Sequence, residues 1–187
     1  QTREHDRMEF QVEGELGDSP YQTEGCEMRI ERQILGLAGE FAVASELCRR
    51  NVYAQLTLGI RKRTDILIET ENGMLRIQVK SKQQRDWPNC KGIYGKKIVL
   101  VFVDFENKKE DERPDFYVLT VKDWKSLVNR ELDSRISAGE VKVNEKNIPI
   151  WVKKVGKDRK PYEGMGVRPE QIKEYKERWD KITKMVR

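Results

Sequence analysis

The sequence predicts an α/β domain with an extension at each end, and three observations lead to this fold class. An early segment repeats apolar residues at the helical period, two strand-like runs flank an Asn-Gly turn, and two further strand-like runs precede a second helical segment. The chain has 187 residues, which is close to the usual size of one compact domain. The order of elements therefore predicts one sheet accompanied by helices.

The composition predicts a folded, highly charged protein and excludes several kinds of chemistry. Hydrophobic and charged residues each make up 37% of the chain, and the net charge of +5 is compatible with a polyanionic partner without requiring one. Cys26, Cys48 and Cys90 are far apart, and His5 is the one histidine, so a disulfide framework and a zinc site are not expected. A serine-hydrolase triad would depend on His5 alone. Any catalysis should use carboxylates, lysine and a metal.

No apolar run approaches the roughly 20 residues that span a bilayer. The N-terminus is polar and acidic, unlike a signal peptide. We therefore expect a cytoplasmic protein without a membrane partner.

The first predicted helix covers residues 29–50, after an N-terminal extension at residues 1–28. Its apolar residues recur every three or four positions, which is typical of an amphipathic helix; they are Ile34, Leu37, Phe41, Ala44 and Cys48. We expect this stripe to face the core. At about 100 degrees per residue, Glu40 lies on the shoulder of the stripe, whereas Glu46 lies on the polar face. Glu40 is thus predicted to be a carboxylate held near the core.

The strands follow the helix. Residues 55–58 form a short predicted strand, and residues 64–69 and 74–80 form a hairpin, since Asn-Gly at 72–73 is a strong hairpin signal. The continuous apolar run 98–104 is typical of a buried central strand, and residues 115–120 form its predicted neighbour.

Helices are predicted again towards the C-terminus. Thr120 or Asp123 is expected to cap a helix that runs to about Leu132. Residues 168–185 form a predicted late helix with one apolar face, made of Ile172, Tyr175, Trp179 and Ile182. Residues 141–160 show no assignable period. We therefore predict a core at residues 29–135 and a C-terminal extension at 136–187, whose terminal helix packs on the same domain.

Strand alternation brings chemistry-bearing residues together at the open end of the hairpin. If the core lies on the side of Leu75, Ile77 and Val79, then Gln78 and Lys80 are neighbours on the opposite face. Asp65 begins the partner strand, which places a carboxylate beside Lys80. An acid and a lysine are thus predicted to converge at one end of the sheet.

Gly39-Glu40 on an early helix, then Thr64-Asp65, then Gln78-Val79-Lys80 resemble the motif of the PD-(D/E)xK nuclease superfamily. The similarity covers about residues 32–82. The family includes archaeal Holliday-junction resolvases and many restriction endonucleases. The resemblance implies a restriction-endonuclease-like core, with a mixed β-sheet flanked by α-helices, that binds Mg²⁺ or Mn²⁺ and hydrolyses phosphodiester bonds.

The resemblance also implies roles for individual residues. Glu40 would be the helix-borne acid, Asp65 the principal metal ligand and Lys80 the catalytic lysine. Gln78 occupies the position where the family usually has its second acid, so it would be a neutral ligand. The backbone carbonyl of Val79 would add a further oxygen. Because Mg²⁺ commonly binds one or two carboxylates together with water and substrate phosphate, a one-metal site is expected.

Basic and aromatic residues near this centre are candidate contacts for a nucleic acid. They are Arg61, Lys62, Arg63, Lys82 and Trp87. The basic run 153–160 is another candidate, although such runs are equally often ordinary solvated surface. Together these observations favour DNA as the partner, with a homodimer as the simplest way to cut both strands of a duplex.

Three functions remain open on the sequence. The first is a Mg²⁺-dependent DNA endonuclease. The second is a weak or inactive nuclease-fold module or subunit that binds nucleic acid, since glutamine at position 78 brings no negative charge. The third is a protein that binds another phosphorylated ligand in the same basic cleft. The sequence does not distinguish duplex, junction, flap and RNA substrates.

Overall fold

A computed structural model describes residues 29–57, 64–152 and 161–187. The fold is α/β, as predicted: a mixed five-stranded sheet is flanked by helices. The helices are α1 (Arg32–Cys48), α2 (Val121–Ser137) and α3 (Asp180–Val186), with a 3-10 helix at Pro169–Tyr175. The sheet contains β1 (Gln55–Leu56), β2 (Ile66–Thr70), β3 (Gly73–Lys82), β5 (Ile98–Asp104) and β6 (Asp115–Thr120). Two short ribbons pair β4 (Trp87–Cys90) with β9 (Met165–Val167) and β7 (Val141–Val143) with β8 (Pro149–Trp151).

The strand order in the main sheet is β1-β2-β3-β5-β6. The predicted hairpin is present: β2 and β3 are antiparallel, and the turn between them uses Gly73 at φ 109°, a backbone conformation that favours glycine. β3 runs parallel to β5, and β5 runs antiparallel to β6. Every residue of β5 is buried, as its continuous apolar sequence predicted.

Hydrophobic clusters cover both faces of the sheet. On one face, Ile77 and Val79 of β3 pack with Val43 and Leu47 of α1 and with Ile182 of α3. On the other face, β5 and β6 pack with α2 and with the β4–β9 ribbon. Because the second face is also covered, the side of β3 that carries Gln78 and Lys80 lies partly inside the protein.

Helix α1 turns a different face to the sheet from the one predicted. Ile34 and Phe41 are 55% and 52% exposed, whereas Glu46, expected on the polar face, is buried. The reason is close packing at Gly39: a Cβ atom there would lie 1.9 Å from the Ser81 hydroxyl oxygen, so only glycine lets the helix approach β3 this closely. Ion pairs from Arg50 and Arg113 compensate the buried charge of Glu46.

The prediction of one continuous helix at residues 168–185 is wrong. The 3-10 helix and α3 are separated by a bend in which Glu177 has φ 55° and its N–H donates to the Phe116 carbonyl. This contact with β6 stops the helix. The four predicted apolar residues are nevertheless all buried, in the two clusters on opposite faces of the sheet.

Helix α2 begins where the sequence indicated. The Thr120 hydroxyl accepts from the Asp123 N–H, and the Asp123 carboxylate accepts from the Thr120 N–H, which forms a capping box. Within the described ranges, no helix combines the length and the apolarity needed to cross a membrane.

Candidate functional site

The candidate site lies where β3 continues past the start of β2. The Asp65 N–H donates to the Ile77 carbonyl at 2.9 Å, so Asp65 and its neighbour Ile66 both lie opposite Ile77, an arrangement typical of a β-bulge. The Asp65 carboxylate accepts from the Val79 N–H at 2.6 Å. Two backbone positions of β3 therefore fix Asp65 at the open end of the hairpin.

The carbonyl of Val79 points towards the same edge as Asp65. The Arg76 N–H donates to the Lys97 carbonyl on the β5 side, whereas the Ile77 carbonyl accepts from Asp65 on the β2 side. Backbone groups alternate between the two edges along a strand, so the Val79 N–H and C=O share the edge used by Ile77. The Val79 carbonyl thus lies on the side that the sequence predicted for a ligand.

Glu40 extends from α1 towards this corner and is half-buried. Burial raises the pKa of the Glu40 carboxyl, the charge of Asp65 raises it further, and the ammonium of Lys80 lowers it. The charges of Asp65 and Lys80 both act on Glu40, so the structure brings together three of the predicted site residues.

Asp65 is in a similar electrostatic state. Burial raises its pKa, while the hydrogen bond from Val79 and the charge of Lys80 lower it. The net direction is upward, so the folded protein makes ionisation of both carboxyls less favourable. A cation at this corner would relieve that cost. Lys80 itself is exposed. Its charge also acts on the buried Cys90 thiol, and burial raises the pKa of that thiol to about 12.

Gln78, the remaining predicted side chain, lies in the interior. Gln78 directly precedes Val79, whose N–H donates to the Asp65 carboxylate. The Gln78 side chain is 8% exposed, and its amide oxygen has no hydrogen-bond partner. Buried polar atoms are rarely left without partners, so a bound ligand would satisfy this oxygen.

These donors fit a hard divalent cation. Two carboxylates, one amide oxygen and one backbone carbonyl form an all-oxygen set, which Mg²⁺ and Mn²⁺ prefer. Across residues 29–57, 64–152 and 161–187, no three His, Cys, Asp or Glu side chains cluster closely enough to hold a metal ion. The neutral oxygens of Gln78 and Val79 would therefore have to supplement Glu40 and Asp65.

Comparison with known proteins gives structural similarity without a matching family. No protein-family model matches the chain, and no curated protein matches it. Among solved structures, the chain is similar to a bacterial homing endonuclease at 18% sequence identity, with a TM-score of 0.44. The match covers 84% of this chain and 95% of that one.

The structure places two predicted nucleic-acid contacts in the interior. The Lys82 side chain is 2% exposed and bridges Asp104 and Glu106, each at 2.6 Å. Trp87 is 1% exposed, and its ring lies under the Lys82 ammonium. The reason is that the β4–β9 ribbon covers this end of β3, so neither side chain lies where a nucleic acid could contact it. The predicted contacts Arg61, Lys62 and Arg63 and the basic run 153–160 lie outside the described residues.

The structure also shows a cleft beside Gln78 that the sequence did not indicate. Its volume is about 300 Å³, and Arg76, Gln78, Tyr94 and the glycines at 92 and 95 are among the residues that line it. Strand alternation does place Arg76 on the face of Gln78, and that was the available signal. The loop at 92–95 reaches this face through tertiary packing, which no local pattern encodes.

Proposed function

We propose that this protein is a metal-dependent endonuclease that hydrolyses phosphodiester bonds in DNA. The observation that carries the proposal is the convergence of Glu40, Asp65 and Lys80 at the open end of the hairpin, where the charges of Asp65 and Lys80 act on Glu40. Two carboxylates whose ionisation is disfavoured, beside one lysine, suit a divalent cation and a phosphate. The similarity of the motif to the PD-(D/E)xK superfamily supports the same function.

In this proposal, each residue has a separate task. Glu40 and Asp65 bind Mg²⁺ or Mn²⁺ together with the Gln78 amide oxygen and the Val79 carbonyl. When bound, the cation supplies a Lewis acid that lowers the pKa of water and offsets charge on the phosphate. Lys80 orients the attacking water and stabilises the negative charge that grows on the phosphate. The Val79 N–H holds the Asp65 carboxylate in position. Hydrolysis is direct, without a covalent enzyme intermediate.

The direct test is cleavage of labelled duplex, branched and single-stranded DNA with and without Mg²⁺. We expect metal-dependent cleavage of at least one substrate, and we expect Asp65→Asn and Lys80→Ala each to lower the rate at least about 100-fold. Asp133→Asn and Lys125→Ala are matched controls, because both residues are exposed on α2. Wild-type rates in Asp65→Asn or Lys80→Ala would overturn the proposed mechanism.

A second candidate function is a nucleic-acid-binding module or subunit with little catalytic activity. One observation favours it: Gln78 takes the position of the second acid, and no third carboxylate among the described residues joins Glu40 and Asp65. This candidate predicts DNA binding in the absence of metal and no cleavage of any substrate. A homodimer remains a proposal for either function, and sedimentation of the purified chain with and without DNA would test it.

A further inference from the structure

We infer that the cleft beside Gln78 receives a single unpaired nucleobase next to the cleaved bond, so that the substrate is DNA with an unpaired nucleotide at that position. The inference rests on the proposed function, because it assigns the substrate class of the same site. It begins from a shared side chain: Gln78 lines the cleft and directly precedes Val79, whose N–H donates to the Asp65 carboxylate. A group in the cleft would therefore lie immediately beside the scissile phosphate.

The size of the cleft favours one nucleobase. Its volume of about 300 Å³ is at the lower end of the range of small-ligand sites. A base can enter such a space only when it is unstacked from its neighbours. Unstacking costs least for a base that is already unpaired, so a cleft of this size selects for unpaired substrates.

The lining is polar where a base edge would need partners. Arg76 supplies N–H donors, and its guanidinium is held across the loop by a hydrogen bond to the Lys96 carbonyl at 3.2 Å. The Gln78 side chain also lines the cleft, while its amide oxygen is the proposed ligand of the cation. Arginine is a side chain that commonly reads acceptor groups on base edges.

Charge and aromatic character favour a nucleotide over an uncharged ligand. The described residues that line the cleft include no carboxylate, and Lys96 and Lys97, which follow the lining residue Gly95 in the chain, are exposed. The Lys146 ammonium lies 5.3 Å from the centre of the Tyr94 ring, which adds positive charge beside an aromatic surface. Aromatic rings in basic grooves are typical sites for unstacked bases.

The cleft wall is fixed rather than adaptable. Gly92 has φ 67°, and a Cβ atom there would lie 1.9 Å from the Trp124 ring, so the loop packs directly on α2. Ile93 is 1% exposed and anchors the loop in the core. The space beside Gln78 is therefore defined before any substrate binds.

The test compares three DNA hairpins that differ at one position: fully paired, with one unpaired adenine, and with an abasic residue in place of that adenine. Fluorescence anisotropy in EDTA measures binding without cleavage. We expect the wild-type protein to bind the unpaired adenine at least tenfold more tightly than the other two hairpins. Tyr94→Ala and Arg76→Ala should remove this preference, whereas Tyr53→Ala should keep it, because Tyr53 is 79% exposed on another loop.

Circular dichroism of each variant shows whether it folds, and Arg76→Gln provides a second probe of the cleft that keeps a long polar side chain. Equal affinity of the wild type for all three hairpins would overturn the inference. A preference that persists in folded Arg76 and Tyr94 variants would also overturn it. Cleavage of the paired hairpin in Mg²⁺ is measured separately: its presence without any base preference refutes this inference and leaves the proposed function intact, whereas absence of both binding and cleavage refutes both.

Discussion

Gln78 is the residue at which this chain departs most from the motif it resembles. A glutamate there would add a third negative charge to a corner where the charge of Asp65 already raises the pKa of Glu40. Glutamine keeps an oxygen donor and avoids that repulsion, at the expense of weaker attraction for a cation. The amide oxygen of Gln78, which has no hydrogen-bond partner, is the donor that the glutamine retains.

Gln78→Glu should therefore tighten Mn²⁺ binding about tenfold, because the charge of the ligand set governs cation affinity. Without metal, the same variant should unfold at a lower temperature than the wild type, since three carboxylates would repel one another. Titration calorimetry and thermal denaturation measure the two effects. Gln84→Glu is the control, because Gln84 is exposed. Unchanged Mn²⁺ affinity in Gln78→Glu would show that this side chain does not contact the cation.

At the scale of elements, the sequence predicted α1, the β2–β3 hairpin, β5, β6 and α2, because each has a strong local pattern. It did not predict β4, which contains Pro88 and Asn89 and pairs with β9 far along the chain. Pairing over such a separation leaves no periodic signal. The apolar pattern also did not predict which face of α1 is buried, because Gly39 and the ion-paired Glu46, rather than Phe41, decide it.

Packing at Gly39 gives a prediction with an internal control. Gly39→Ala should destabilise the protein by about 1–2 kcal/mol, because the new methyl group would collide with Ser81 and push α1 away from β3. Gly36→Ala should instead stabilise it by up to about 1 kcal/mol, since nothing lies within 4 Å and alanine favours helix. Urea denaturation measures both. A stability gain in both variants would contradict the close packing.

The displacement of α1 should also move the Glu40 carboxylate, because Glu40 follows Gly39 directly. We therefore expect Gly39→Ala to weaken Mn²⁺ binding, and Gly36→Ala to leave it unchanged. Equal affinities in the two variants would mean that the position of α1 does not control the carboxylate pair.

At the scale of the whole molecule, Glu46 connects three distant parts of the chain. Its carboxylate pairs with Arg50, in the turn after α1, and with Arg113 before β6, and Arg113 also pairs with Glu177 before α3. This network holds the C-terminal segment against the first helix. Sequence patterns could not predict it, because an isolated glutamate on a helix is ordinarily a surface residue.

Glu46→Gln should lower the free energy of unfolding by about 2 kcal/mol, less than for a fully buried pair because both arginines are partly exposed. Glu140→Gln is the matched control, since Glu140 forms an exposed pair with Arg135 and should change stability little. The arginine partners lower the pKa of Glu46 to about 2. This contribution is therefore present above pH 4.5 and is lost as the pH falls towards 2. Equal effects of the two substitutions in urea denaturation at pH 7 would contradict the network.

The proposed function requires that Glu40 and Asp65 together bind a divalent cation beside Lys80. Mn²⁺ titration calorimetry measures this binding without any assumption about substrate. We predict that the wild-type protein binds Mn²⁺ at pH 7.5, that Asp65→Asn and Glu40→Gln each weaken this binding at least about tenfold, and that Asp133→Asn does not. Affinity should also fall as the pH is lowered, because the raised pKa values of both carboxyls let protons compete with the metal. Wild-type Mn²⁺ affinity in Asp65→Asn and Glu40→Gln would show that these carboxylates do not bind the cation.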